Sequence, residues 1–157
     1  MASLPVHFRR MIFSMSGQPR AICASRAPNG CYMKKTPAED RRLVRLTKIC
    51  LALPESTRWY NGQHAGFLVR KKTFAYFLSD HHGDGIIALN CKVLPGDNKS
   101  LASAQPDRFY LPDYLASRGW AGLRLDIGKI DWDEVAELVR GSYQLIAPKR
   151  LAALVDS

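Results

Sequence analysis

The stretch Gly119-Trp120-Ala121-Gly122-Leu123-Arg124-Leu125-Asp126, followed by Asp131-Trp132-Asp133-Glu134-Val135 and then Ser142-Tyr143-Gln144-Leu145, decides the fold. It reads as an apolar strand, a turn and a capped amphipathic helix. Trp120 and Leu125 are apolar, with Leu123 out of phase, and Gly119 marks the strand start. Asp131 and Glu134 have the spacing of a capping box, cap and third helical residue satisfying each other's backbone N–H groups. Trp132, Val135, Ala136, Val139, Tyr143 and Ile146 then recur on one helical face. Pro148 kinks or ends this helix, and residues 149–155 add a short terminal one.

Working back from that segment, Thr36-Pro37-Ala38-Glu39 is a second capping box and predicts a helix starting at Thr36. Leu43, Leu46, Cys50 and Leu53 share its apolar face, and Pro54 stops it. Residues 54–62 read as a loop ending in the turn signal Asn61-Gly62. Residues 65–70 and 73–79 alternate as two strands, and residues 85–91 form a third after the loop His81-His82-Gly83-Asp84-Gly85. Pro95-Gly96 precedes one to two helical turns, and residues 108–111 suit a strand. Adjacent strands flanked by helices predict an α+β fold, an antiparallel sheet of about five strands packed with helices, as a single domain over 36–157.

The formal net charge is +9, but it is unevenly spread. Residues 1–35 contain Arg9, Arg10, Arg20, Arg26, Lys34 and Lys35 and no acid, a charge of +6; residues 36–157 carry the remaining +3. Residues 1–35 therefore read as a disordered basic leader. Three origins stay open: translation upstream of a true start at Met33, a basic arm, or a targeting segment. The folded part is only mildly basic, so total charge is a weak argument for nucleic acid.

Cys23, Cys31, Cys50 and Cys91 form no C-x-x-C pair, which argues against structural zinc and against a disulfide framework. A reducing compartment, the cytoplasm, fits best. No apolar run approaches the ~20 residues of a membrane span.

Lys71-Lys72-Thr73-Phe74-Ala75, Leu89-Asn90-Cys91-Lys92, Pro112-Asp113-Tyr114, Gly119-Trp120 and Ser142-Tyr143-Gln144-Leu145 occur in this order. Together with the capped helix they resemble the MmcQ/YjbR-like family over about 36–152. The resemblance implies an α+β sandwich with an antiparallel sheet, similar to type III secretion chaperones and frataxin-like domains. It also implies DNA binding by a "double wing" of hairpins. It carries over no catalytic residues. Arg70-Lys71-Lys72 falls where a glycine belongs in a tight turn, which implies a looser, more basic hairpin tip.

The candidate nucleic-acid-binding residues are Arg70, Lys71 and Lys72 at that tip, extended by Lys92, Arg118 and Arg124 from separate elements. Each phosphate they neutralise contributes about −0.9 to the log–log salt slope. Solvated lysines that protect a sheet edge have the same composition. Trp59-Tyr60 and Phe109-Tyr110, near loops, are candidates for base stacking. Phe74, Tyr76, Trp120, Trp132 and Tyr143 lie at core periods. His81, His82 and Asp84 hold metal-ligand atoms but lack a spaced third ligand, and His64 reads as packing or surface. Asp131, Asp133, Glu134 and Glu137 suit the first turns of a helix, where they offset its dipole. Ser103 and Ser142 lack a His/Asp context, and Gly83-Asp84-Gly85 lacks the Lys-Ser/Thr of a phosphate loop.

The reading is a small non-enzymatic protein with no cofactor and no metal. DNA, through its phosphate backbone, is the first partner. A protein partner, as in a chaperone-like module, is the alternative, and a small-ligand or metal-binding domain is a distant third. Monomer and homodimer both stay open.

Overall fold

Asp40 opens the first helix of the described residues. Its side chain accepts the N–H of Arg42 at 2.8 Å, while its own φ of −54° and ψ of 128° keep it outside the helix. The computed structural model describes residues 40–155, so the cap expected at Thr36 and the basic leader lie outside the described residues. Helix α1 (Arg41–Leu51) buries Leu43, Leu46 and Cys50, the face its periodicity marks.

Six strands follow: β1 (Ser56–Asn61), β2 (His64–Val69), β3 (Lys72–Ser79), β4 (Ile87–Lys92), β5 (Phe109–Tyr110) and β6 (Trp120–Arg124). All neighbours run antiparallel, in the order β1-β2-β3-β4-β6-β5. The loop expected over 54–62 is instead mostly β1. Asn61 pairs with His64 across the two-residue turn Gly62-Gln63, so the turn signal demanded a strand before it as well as after it. Helix α2 (Asp97–Ala104) packs near β5 and β6; α3 (Trp132–Ile146) crosses β3 and β4, and α4 (Lys149–Ala152) follows Pro148. These elements form an α+β fold.

The sheet register sorts every strand residue to one face or the other. Ala65, Phe67, Ala75, Phe77, Leu89, Cys91, Leu123 and Phe109 face the helices and meet Leu46, Val135, Val139 and Tyr143 in the core. Phe74 joins them through a bulge. Phe67 pairs with Ala75 and Leu68 with Thr73, which leaves Phe74 as the extra residue. Its ring meets Tyr143 edge-on at 5.3 Å.

The bulge lies in the β2–β3 ladder; beside it the β3–β4 ladder ends at Ala75 and Cys91, and Ser142 of α3 serves the next backbone groups. The Ser142 hydroxyl donates to the Phe74 carbonyl at 2.5 Å and accepts the Lys92 N–H at 2.8 Å. One hydroxyl thus satisfies a backbone acceptor and a backbone donor just past the end of that ladder. Next to it, the Tyr143 hydroxyl donates to the Pro54 carbonyl at 2.6 Å and ties α3 to the end of α1. Asp131 caps α3 as expected, accepting from Asp133 and Glu134 N–H groups at 3.0 and 3.2 Å. Glu134 turns outward to pair with Arg108.

A candidate nucleic-acid interface

The hairpin tip between β2 and β3 is tight, not loose as its sequence implied. Val69 pairs with Lys72, so the turn has two central residues, Arg70 and Lys71, with φ of 48° and 66°. Both are left-handed, the geometry that matches strand twist and that Asn-Gly normally supplies. Two long cationic side chains occupy a conformation costing roughly 1–2 kcal/mol per residue for an L-amino acid.

Register places five of the six candidate cations at one end of the sheet. Arg70, Lys71 and Lys72 cap β2 and β3. Lys92 ends β4 opposite Trp120, the residue that begins β6, and Arg118 lies two residues before Trp120. Arg124 pairs with Ala88 and sits at the opposite end, tied to Asp126 at 2.6 Å. Arg70 is bound to Glu55, whose carboxyl it holds below the usual range, and Glu55 also meets Arg150 at 3.4 Å. Among the described residues, Lys71, Lys72, Lys92 and Arg118 pair with no carboxylate.

Beside this basic end lies the sheet face opposite the core. One transverse row crosses all six strands: Trp59, Gly66, Tyr76, Asn90, Gly122 and Tyr110 are successive register partners. The two glycines make room for rings. A Cβ on Gly66 would lie 2.2 Å from Trp59 Nε1, and one on Gly122 would lie 2.3 Å from the Tyr110 ring. Trp59 meets Tyr76 edge-on at 6.4 Å, and Tyr76 meets Trp120 at 5.3 Å. The Tyr110 hydroxyl donates to Asn90 Oδ1 at 2.9 Å. Burial raises the phenol of Tyr110 to about 12 and also raises that of Tyr76. The charge of Arg118 pulls Tyr76 the other way, which puts Arg118 within electrostatic reach of the face.

The two aromatic pairs singled out in the sequence are split by this geometry. Trp59 and Tyr110 lie on the open face, whereas Tyr60 and Phe109 turn to the helix side, and Phe109 is buried. Phe74 and Tyr143 are core, as their spacing indicated, while Tyr76 and Trp120 belong to the open face. Asn90, read from the sequence only within the Leu89-Asn90-Cys91-Lys92 resemblance, is a lone amide in an apolar strand and belongs to this face. His81 meets His64 edge-on at 5.2 Å, and Asp84 accepts the Ile86 N–H at 2.9 Å as a turn residue. Among the described residues, no three His, Cys, Asp or Glu side chains gather as metal ligands.

The YjbR family model matches residues 51–145. The chain belongs to the YjbR family. Within this YjbR domain the match runs from the last residue of α1 to Leu145 near the end of α3, so it includes the basic end and the aromatic row. The chain is similar to the crystal structure of Deinococcus radiodurans protein DR2400, a DUF419 domain, with 24% identity and a TM-score of 0.57. That similarity covers 73% of this chain and 87% of that one, and at this identity it shows the YjbR fold alone. No curated protein matches the chain. Among the described residues, no helix is long and apolar enough to cross a membrane.

Proposed function

We propose that this YjbR-family protein is a non-catalytic cytoplasmic DNA binder that grips phosphates with the basic end of its sheet. One observation carries the reading. Lys71, Lys72, Lys92 and Arg118 come from three separate elements, collect at one sheet end and pair with no carboxylate among the described residues. Phosphate contacts of this kind fix position on a duplex without reading sequence.

The test replaces Lys71, Lys72, Lys92 and Arg118 by Ala in the full chain and titrates duplex DNA across salt. Each lost phosphate contact flattens the log–log slope by about 0.9. An unchanged affinity and slope sinks the reading. A parallel full-length variant lacking the charges of Arg9, Arg10, Arg20, Arg26, Lys34 and Lys35 measures what the leader contributes.

A specific observation also favours a protein-docking reading. A groove of about 400 Å³ runs between α3 and the β4–α2 connection, floored by Val93, Leu94, Leu138 and Leu145. Leu94 and Leu145 are 57% and 41% exposed. Substituting Leu94→Lys and measuring mass by light scattering tests it; a self-association lost in the variant supports the groove as an interface.

A further inference from the structure

The open sheet face carries features that duplex binding at the sheet end does not use. Gly66 and Gly122 let Trp59 and Tyr110 lie down on the backbone, and Tyr76 stands at 73° to Trp59 between them. Trp59, Tyr76 and Tyr110 are half-buried, so each ring keeps solvent-facing area. Asn90 lies between them at 1% exposure. Tyr110 occupies its amide oxygen, and its amide nitrogen has no partner among the described residues. The amide thus leaves a donor at the floor of an aromatic surface.

No strand residue on this face is acidic, although Asp84 and Asp113 act electrostatically on Tyr110 at its β5 edge. The strand residues sharing it by register are Thr57, Trp59, Asn61, His64, Gly66, Leu68, Thr73, Tyr76, Leu78, Ala88, Asn90, Lys92, Gly122, Arg124, Trp120 and Tyr110, with no Asp or Glu; Lys72 pairs with the core residue Val69. Arg124 is spent on Asp126, so the unpaired cations lie at the end holding Lys72, Lys92 and Arg118. Strands lie about 4.8 Å apart, so Gly66 and Gly122, three strands apart, are separated by roughly 14 Å. About two or three splayed nucleotides fit such a span, as on other base-stacking sheets.

We propose that this face binds an unpaired stretch of nucleic acid. Bases stack on Trp59, Tyr76 and Tyr110, Asn90 offers its amide to a base edge, and phosphates run along Lys92 and Arg118. The inference rests on the phosphate-binding reading above and adds the unpaired strand as the ligand. Stacking tolerates any base, so sequence preference is weak. A paired duplex cannot use the rings, because its bases are already stacked.

The test titrates the full chain with fluorescein-labelled oligo(dT) and with a duplex of equal length at one salt concentration. Trp59→Leu and Tyr76→Leu are each expected to weaken oligo(dT) at least about tenfold and to leave duplex affinity unchanged. Trp59→Phe keeps a ring and is expected to recover most of the loss. Circular dichroism melts confirm that the variants fold. Folded Leu variants with wild-type oligo(dT) affinity overturn the proposal. So does inorganic polyphosphate competing as well as oligo(dT) at equal charge. If the quadruple Ala variant of the basic end loses duplex binding while the aromatic variants change nothing, only this inference falls. If the wild type binds neither nucleic acid, both readings fall, and a concentration-dependent blue shift of tryptophan emission then assigns the face to a second copy of the chain.

Discussion

Trp59 lies directly on Gly66, its register partner across the β1–β2 ladder, so close that a methyl group at Gly66 would sit 2.2 Å from the indole nitrogen. The relation is repeated by Tyr110 and Gly122 at the other side of the sheet. A sheet face that carries no helical layer among the described residues is thus surfaced by rings laid over glycine. Gly66→Ala must lift the indole away, and overpacking of this kind costs about 1–3 kcal/mol. The expected outcome is a red-shifted, more quenchable tryptophan emission together with a lower urea midpoint. Unaltered emission and stability would show that the ring does not rest there.

Ser142→Ala removes one hydroxyl and orphans two backbone groups, the Phe74 carbonyl and the Lys92 N–H. Leaving buried backbone groups unpaired costs about 1–3 kcal/mol each, reduced where water enters. A loss of about 2–3 kcal/mol in equilibrium urea unfolding is expected, several times that of an ordinary Ser→Ala change. A Ser142→Thr variant retains the hydroxyl and is expected to recover part of it.

That result bears on what was legible in the sequence. The Ser-Tyr-Gln-Leu segment identified the fold, and its periodicity placed Tyr143 in the core. Nothing local showed why Ser142 is serine, because its hydroxyl serves the Phe74 carbonyl 68 residues away and the Lys92 N–H. Strand β1 was missed because Arg58 and Tyr60 take the helix side while Thr57, Trp59 and Asn61 take the other. Neither side is purely apolar, so the alternation carries no hydrophobic signal. The basic tip was readable as charge. Its gathering with Lys92 and Arg118, and the separation of Arg124, depend on register that only pairing defines. The aromatic row was hidden for the same reason, since it joins one residue from each strand.

Tyr110 supplies a pH test. Burial, chiefly, raises its phenol to about 12, against about 10 in an unfolded chain. The folded state therefore holds the proton longer than the unfolded state does. Its contribution to stability is full below pH 10 and is lost as pH rises towards 12. Ionisation also removes the hydroxyl that donates to Asn90. A phenolate absorbance titration is expected to show late-titrating tyrosines, one of which is missing in Tyr110→Phe. A Tyr110→Phe variant is expected to flatten the fall in thermal midpoint between pH 10 and 12.

Lys71 offers a change whose effects on stability and binding point in opposite directions. Its φ of 66° is left-handed, as is the 48° of Arg70, and neither residue has the glycine that relieves this strain. Lys71→Gly removes a Cβ from an unfavourable conformation and is expected to raise stability by about 1 kcal/mol, measured by urea denaturation. The same substitution deletes a cation with no carboxylate partner among the described residues. Duplex affinity is therefore expected to fall, with a salt slope shallower by about 0.9 if Lys71 holds one phosphate. Strain retained at a loop tip is a mark of selection for something other than stability. A variant that is both more stable and weaker in binding attributes the strain to the charge this turn presents. A variant that gains stability and binds DNA unchanged leaves Lys71 as a solvated turn residue and moves the phosphate contacts to Lys72, Lys92 and Arg118.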